Sequence, residues 1–139
     1  MSDTLLIEQE VGFKYRSEKD RLITEQDIED FVGLSWTPAS GYQDDEAARE
    51  MGFENRLVPG PMHMPILMGL LWPVLNAPNV VILSTDKVRH KNPLHPGQTV
   101  HGELELLSKK ETSRGGIVGT YSWSLINQGG VVITQGENS

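Results

Sequence analysis

The segment Met62 to Leu75, MHMPILMGLLWPVL, constrains the fold more than any other part of this chain. It is apolar on almost every side, and a helix without a polar stripe must be surrounded by other parts of the protein. Its fourteen residues include two prolines, whereas a membrane span needs about twenty apolar residues. The sequence therefore predicts a buried central helix over about 61–75. Pro61 suits its first turn, while Pro65 and Pro73 are expected to bend it or cost hydrogen bonds.

After the central segment, apolar residues alternate with polar ones instead of repeating at helical spacing. Residues 99–111 place Val100, Leu104 and Leu106 on one face, and residues 117–125 alternate larger apolar side chains with small polar ones. Consecutive strands with short connections predict an antiparallel meander. We expect these strands over Asn79–Lys91, Thr99–Glu111 and Gly116–Asn127, and from Val131 onward after a turn at Asn127–Gly130.

Two shorter helices are predicted before the central one. Thr24 precedes acidic residues in the pattern of an N-cap, so the first helix is expected over about 25–34. Asp44 or Asp45 caps a second, more exposed helix that ends near Gly52. The architecture that fits is α+β, one domain over residues 1–139 with a curved antiparallel sheet wrapped around the central helix. Because one sheet cannot cover every side of that helix, we expect two sheets to pair edge to edge in a homodimer or higher homo-oligomer.

The composition excludes several classes of function. At 139 residues and 37% apolar content the chain suits one globular domain. A net charge of -7 has the wrong sign for binding nucleic acid, and the absence of cysteine removes disulfides, thiolate zinc sites and a cysteine nucleophile. Neither a secretion signal nor a membrane span is recognisable, so the expected compartment is the cytoplasm. His90, His95 and His101 are too scattered to form a metal set with His63, and neither a metal nor a cofactor is predicted.

Four segments of the chain resemble one known family. They are ITEQDIEDFVGLS at Ile23–Ser35, DDEAA at Asp44–Ala48, ENRLVPGPM at Glu54–Met62 and VRHKNPLHPGQTVHGELEL at Val88–Leu106. In this order and spacing they resemble the MaoC-like hydratases and dehydratases of the hotdog fold, over about 23–136. The last segment is the most specific, because the family has an Arg, then a Pro, then Pro-Gly-Asp-Thr leading into a strand. This chain keeps that pattern except for Gln98 in place of the aspartate.

The resemblance implies a reaction, but the segment that supports it has changed. The family places D-x-N-P-x-H directly after the helix that ends in GLS, and its aspartate and histidine handle the proton and the water that add to an enoyl thioester. Here the aspartate position holds Thr37 and the histidine position holds Tyr42, with Ala39 and Ser40 at the Asn and Pro positions. Threonine is no base near neutral pH, and tyrosine, with a reference pKa of about 10, is a poor one. The backbone N–H that binds the thioester oxygen in this family corresponds to that of Gly60, at the opening of the central helix.

Three side chains are candidates for a replacement acid–base set. His63 comes first, because it lies in the first turn of the central helix and a histidine has a reference pKa of about 6.5; the alternative is a buried histidine bonded to a carbonyl. Tyr42 would donate a proton or a hydrogen bond, or simply line the tunnel. Thr37 would hold a water or a substrate hydroxyl, or be an ordinary loop residue. An active site of this kind predicts that His63 and Tyr42 face one cavity.

Five residues are candidates for binding the substrate. Trp36 lies beside the changed loop and would narrow the tunnel. Met62 and Met64 belong to a flexible apolar stripe that lines an acyl tunnel or fills the core. Arg89 and His95 would meet the phosphates or pantetheine of a carrier, or form an ordinary solvated rim of the sheet.

Three functions remain open. The first is a lyase-like enzyme of hydratase or dehydratase type with a non-standard acid–base set. It would act on an acyl thioester or a related polyketide-like substrate, presented as an acyl-CoA or on an acyl carrier. The second is a non-catalytic subunit that binds an acyl chain or a partner. The third is a thioesterase, which needs a carboxylate near the helix opening. Glu54 is the nearest by sequence, although we expect it at the surface or paired with Arg56, and Asp44 is better explained as a helix cap.

Overall fold

An antiparallel sheet is the largest unit of regular structure in the computed structural model, which describes residues 5–139. Strands β1 to β6 are Lys14–Arg16, Arg21–Leu22, Thr85–His90, Thr99–Glu111, Ile117–Asn127 and Val132–Asn138. Helices α1 to α3 are Glu25–Ser35, Asp45–Glu50 and His63–Leu75. Short 3-10 turns are formed by Leu6–Glu8, Ser40–Tyr42 and Gly60–Met62.

The order of the strands places β3 at one edge of the sheet. The sheet runs β1-β4-β5-β6-β3, and β2 also pairs with β4. All the pairings are antiparallel, and β4, β5 and β6 form the predicted meander. The α+β hotdog architecture predicted from the sequence is therefore confirmed. Strands β1 and β2 were not predicted, because each has only two or three residues and neither shows alternation.

Helix α3 packs closely on β4. A Cβ atom added at Gly102 would lie 3.2 Å from Leu71 and 3.3 Å from Leu67, so a glycine at this position lets the helix approach the sheet. Both leucines are fully buried. The opposite side of the helix is not covered in the single chain, where Pro65 and Gly69 are exposed and Trp72 is 43% exposed. This agrees with the expectation that one sheet cannot cover every side of the helix, and the pairing of two sheets stays a prediction.

The central helix begins two residues later than its sequence indicated. Gly60–Met62 form a 3-10 turn, and α-helical geometry starts at His63. Pro61 is accommodated because its missing N–H lies in this opening turn, where no helical partner is lost. Pro73 does lie inside α3, as expected.

The strand predicted over Asn79–Lys91 is shorter than expected. It begins at Thr85, and the aliphatic residues Val80 to Leu83 are exposed and outside regular structure. Asn79 has a φ of 60°, a left-handed conformation that turns the chain after Ala77. The aliphatic run was a misleading strand signal, because extended residues become a strand only where a neighbouring backbone pairs with them.

Both predicted helix caps are present. Thr24 accepts from the N–H of Asp27, whose carboxylate accepts in turn from the N–H of Thr24, which is a capping box. Asp44 accepts from the N–H of Ala47 at the start of α2. Within the described part of the chain, no helix combines the length and apolar character needed to cross a membrane.

Candidate active site

The backbone between Val58 and His63 forms the opening of α3. The N–H of Val58 donates to the carbonyl of Leu94 at 2.8 Å, which ties the opening to the segment before β4. The N–H of Gly60 donates to no other described residue. Because free N–H groups at a helix N-terminus carry the positive end of the helix dipole, a carbonyl oxygen that gains negative charge would be stabilised here.

His63 is the first residue of α3 and points into the core. Its side chain is 3% exposed, and its Nδ1 lies 2.6 Å from the Thr134 hydroxyl on β6, which is 1% exposed. Its Nε2 has no hydrogen-bond partner among residues 5–139. The partner within hydrogen-bonding distance is a hydroxyl, and the backbone of Val58 also acts on this imidazole by raising its pKa.

His90 is the second imidazole at this position. It ends β3 and lies opposite Thr134 in the β3–β6 register, with its Nδ1 3.1 Å from the same hydroxyl. Its ring centroid is 5.2 Å from that of His63, in an edge-to-face arrangement. A Cβ atom added at Gly60 would lie 3.3 Å from Cε1 and 3.5 Å from Nε2 of His90, so the exposed His90 ring lies directly against the helix opening. We call His63, His90 and Thr134 the histidine cluster.

A bulge in β3 brings His90 to this position. Asp86 lies opposite Glu137, but the register shifts by one before Arg89, and Lys87 between them has a φ of 56°. Without this shift in register, His90 would lie opposite Ile133 instead of Thr134. A slip of one residue moves a side chain to the other face of a sheet, so the bulge is what assembles the cluster.

Burial keeps His63 neutral. The pKa of His63 is lowered from 6.5 to about 4, mainly because burial disfavours the charged imidazolium and also because a charge on His90 repels it. The backbone of Val58 acts in the opposite direction and raises this pKa. At pH 7 only about one molecule in a thousand carries a protonated His63. This imidazole therefore accepts or donates hydrogen bonds in its neutral form, and it is poorly suited to taking up a proton at pH 7.

The changed loop, Ser35–Tyr42, differs from this cluster in exposure. Trp36 ends α1 in the left-handed conformation with a φ of 58°, and its side chain is 87% exposed. The Thr37 hydroxyl lies 2.6 Å from that of Ser35. Tyr42 is half-buried and packs against the core. None of these three side chains contacts the histidine cluster through a hydrogen bond in the described residues.

Arg56 holds the loop in place. Its guanidinium is buried and donates to the Tyr42 carbonyl at 2.6 Å, and it also pairs with Glu25 and Glu29 of α1. Of the two alternatives given for Glu54, the surface position is the one observed, because Arg56 pairs with the two glutamates of α1 instead. Glu54 is exposed, and its backbone carbonyl accepts from Arg49. A small cavity of about 160 Å³ lies beside these residues, lined by Glu29, Val32, Pro38, Tyr42, Gln43 and Arg56.

The structure places the other predicted binding residues apart from one another. Met62 is buried and Met64 is partly buried in the core. Arg89 is exposed, and its guanidinium donates to the Val88 carbonyl. The Nδ1 of His95 is hydrogen-bonded to the Arg56 carbonyl at 2.8 Å, so this side chain supports the segment before the helix opening.

A larger apolar groove of about 790 Å³ lies along the C-terminal half of α3. Met68 and Trp72 form its helical wall, and the exposed residues Val80 to Leu83 form another. Tyr121 also lines it, and its hydroxyl accepts from the Asn138 amide at 3.0 Å. Burial raises the pKa of Tyr121, so its hydroxyl stays neutral. Tyr42 lines the smaller cavity and His63 lines neither, so the single chain does not bring these two predicted residues to one cavity.

Sequence reasoning missed two members of the cluster. His90 was considered only as a metal ligand, and Thr134 was not considered. They are separated from each other by 44 positions and Thr134 from His63 by 71, so no local spacing connects them. The available signal was the meander itself, because it places Thr134 on a strand that passes beneath the helix.

Comparisons with known proteins agree with this fold. The family model described as "MaoC like domain" matches residues 7–127. A 3-hydroxyacyl-[acyl-carrier-protein] dehydratase, mitochondrial, from Arabidopsis thaliana is 29% identical over 122 residues, which are 84% of this chain and 69% of that protein.

Two solved structures are similar in fold. The MaoC-like dehydratase from Rhodospirillum rubrum has a TM-score of 0.82 at 23% identity, covering 96% of this chain and 92% of that one. The (R)-hydratase from A. caviae involved in PHA biosynthesis has a TM-score of 0.79 at 24% identity, covering 94% and 95%.

Proposed function

Because the chain belongs to the MaoC-like domain family, we propose that it is a lyase of hydratase or dehydratase type that acts on an acyl thioester. In this proposal the reversible reaction adds water across the double bond of a 2-enoyl thioester. The acyl group is presented as an acyl-CoA or on an acyl carrier. The acid–base set differs from the aspartate and histidine that the family resemblance implies for the loop.

The observation that supports this proposal is an imidazole placed at the opening of the central helix. The His90 ring lies against Gly60, whose N–H is free to donate to a thioester oxygen. In a hydratase the negative charge develops on that oxygen while a proton moves nearby, so the two functions must lie within a few ångströms of each other. Both groups, the His90 imidazole and the Gly60 N–H, lie at the opening of α3, which supports the proposal.

The loop residues support the reaction less directly. The Thr37 hydroxyl is exposed and engaged with Ser35, which suits a loop residue that can still hold a water. Tyr42 lines the small cavity, and it would donate a hydrogen bond to a substrate from there. Trp36 is exposed in one chain, so its proposed role in narrowing a tunnel requires a second surface to close over it.

The substrate is proposed to extend away from the helix opening. The groove beside Met68 and Trp72 is apolar and large enough for an acyl chain, whereas Met62 and Met64 are more readily explained as core packing. Arg89 is free to meet the phosphates of a carrier, because its guanidinium pairs with no carboxylate among the described residues. His95 is better explained as a support for Arg56.

Two other functions compete with this one. A non-catalytic subunit that binds an acyl chain is favoured by the size and apolar lining of the groove. A thioesterase is less well supported. It needs a carboxylate near the helix opening to activate water, whereas Glu54 is exposed and no carboxylate in the described chain bonds to the histidine cluster.

Hydration of short and medium trans-2-enoyl-CoA substrates by the purified protein tests the proposal. The rate is followed by the loss of enoyl thioester absorbance and compared with a His63→Gln/His90→Gln double variant and with Thr37→Val. Turnover that the double variant loses and Thr37→Val retains supports a lyase with a relocated acid–base set. An inert native protein would contradict it, above all if a Thr37→Asp/Tyr42→His variant gains activity, because the scaffold then serves a binding role.

A further inference from the structure

Two imidazoles share a single hydroxyl in the histidine cluster, and this restricts which of their ring nitrogens can carry a hydrogen. The Thr134 hydroxyl has one hydrogen, yet Nδ1 of His63 lies 2.6 Å and Nδ1 of His90 lies 3.1 Å from its oxygen. The hydroxyl can donate to only one of them, so at least one histidine must donate its own Nδ1–H to the threonine oxygen.

The surroundings of His63 bear on the direction. Its Nε2 is buried and has no hydrogen-bond partner among the described residues, and the backbone of Val58 raises the pKa of this imidazole, as an acceptor does. A neutral His63 with its hydrogen on Nε2 leaves Nδ1 free to accept from Thr134. Thr134 then accepts from the Nδ1–H of His90. The chain of donors runs from His90 through Thr134 to His63.

This direction leaves the Nε2 of His90 as an unprotonated nitrogen. Nothing else in the described chain bonds to that nitrogen, and His90 is exposed whereas His63 is almost completely buried. The same nitrogen lies 3.5 Å from where a Cβ of Gly60 would be. It therefore lies at the opening of α3, beside the residue whose N–H is free.

We propose that His90 is the catalytic acid–base residue of this chain and that Thr134 and His63 are positioning residues that fix its tautomer. This deepens the proposed function and depends on it. In hydration, the neutral Nε2 of His90 takes a proton from water as the water oxygen bonds to C3 of the enoyl thioester. The C2–C3 π electrons move into the thioester, whose oxygen gains the charge beside Gly60.

The second half of the reaction returns the proton. The protonated Nε2 of His90 gives it to C2 as the enolate electrons form the new C–H bond. One water is added in total, and His90 ends neutral. During the charged interval the His90 Nδ1–H donates to the Thr134 oxygen, and the Thr134 hydroxyl continues to donate its hydrogen to Nδ1 of His63. A neutral acceptor at His63 is what this chain of hydrogen bonds requires.

Steady-state kinetics with an enoyl-CoA separate the roles. His90→Gln is expected to lower kcat by at least about 100-fold with little change in KM. Thr134→Val is expected to lower kcat by about tenfold, and Thr134→Ser, which keeps the hydroxyl, to restore most of it. His101→Gln is the matched control, because His101 is hydrogen-bonded to Glu103 on β4 and takes no part in the cluster.

Nitrogen chemical shifts of the imidazoles provide a readout that does not depend on turnover. At pH 7 we expect His90 to carry its hydrogen on Nδ1, the tautomer that free histidine populates less, and Thr134→Val to return it toward Nε2.

A His90→Gln variant that retains activity within threefold of an active native protein would overturn this proposal and leave the proposed function standing. An His90 with its hydrogen on Nε2 in the native protein would also overturn it, and an inert native protein would overturn both.

Discussion

The changed loop and the histidine cluster differ in how far their polar side chains are exposed and in how distant in sequence their hydrogen-bond partners are. In the loop, Ser35 and Thr37 bond to each other across two positions of sequence, and the side chains are exposed. In the cluster, the bonds join residues 71 and 44 positions apart, and two of the three side chains are almost completely buried. A substitution in the loop should therefore have little effect on folding. A substitution in the cluster should affect both folding and chemistry, because buried polar groups depend on one another.

The largest expected difference between the two regions is in the pH dependence of stability. The folded-state pKa of His63 is about 4 and the reference value is 6.5, so between these values the unfolded chain binds a proton that the folded chain excludes. The native protein should lose on the order of 3 kcal/mol of unfolding free energy as the pH falls from 6.5 to 4 through this residue alone. Denaturant titrations of the native protein and His63→Gln measure it. The variant should show a shallower decline, and equal slopes would contradict the buried neutral state.

Removing one hydroxyl from each region gives a direct comparison. Thr134→Val keeps the shape of the side chain but leaves Nδ1 of His63 without a partner in the core, which should cost about 1–3 kcal/mol. Thr37→Val removes an exposed hydroxyl and should change stability by less than about 0.5 kcal/mol. Chemical denaturation at pH 7 measures both. Equal costs would show that the hydroxyl of Thr134 is not structurally coupled to His63.

The position of the loop should depend on Arg56 more than on the loop's own residues. Arg56→Met keeps the apolar stem but loses the bonds to the Tyr42 carbonyl and to the two glutamates of α1. The glutamates are mostly exposed and return to water, so the expected cost is only about 1–2 kcal/mol. Arg49→Met is the matched control, since Arg49 is exposed and donates to one carbonyl. Thermal unfolding that does not distinguish the two variants would contradict this role.

The smallest expected effect connects the helix opening to the cluster. A Cβ at Gly60 would meet the His90 ring at 3.3 Å, so Gly60→Ala should displace that ring by a few tenths of an ångström and lower kcat by about threefold to tenfold. Gly69→Ala, whose Cβ would meet nothing within 4 Å, is the control. In a His90→Gln background Gly60→Ala should have little further effect on kcat. Additive losses would show that Gly60 acts independently of His90.

Local sequence signals predicted much of the backbone. The N-cap at Thr24, a cap at Asp44 or Asp45 and the full extent of β4 were all predicted, because each depends on residues a few positions apart or on simple alternation. The same reasoning extended β3 back to Asn79, since aliphatic residues were present but a pairing strand was not. It also missed β1 and β2, which are strands only because β4 is beside them.

The sequence by itself determined the central helix, the meander and the family resemblance. It also predicted the loss of the loop dyad and identified His63 as a candidate. Only the tertiary structure placed His90 and Thr134 beside His63. The physical reason is the register of two strands: a bulge between Asp86 and Arg89 decides which residue of β6 faces His90. Such a register depends on the packing of whole elements. The same packing buries His63 and lowers its pKa, which leaves the exposed His90 as the better placed imidazole.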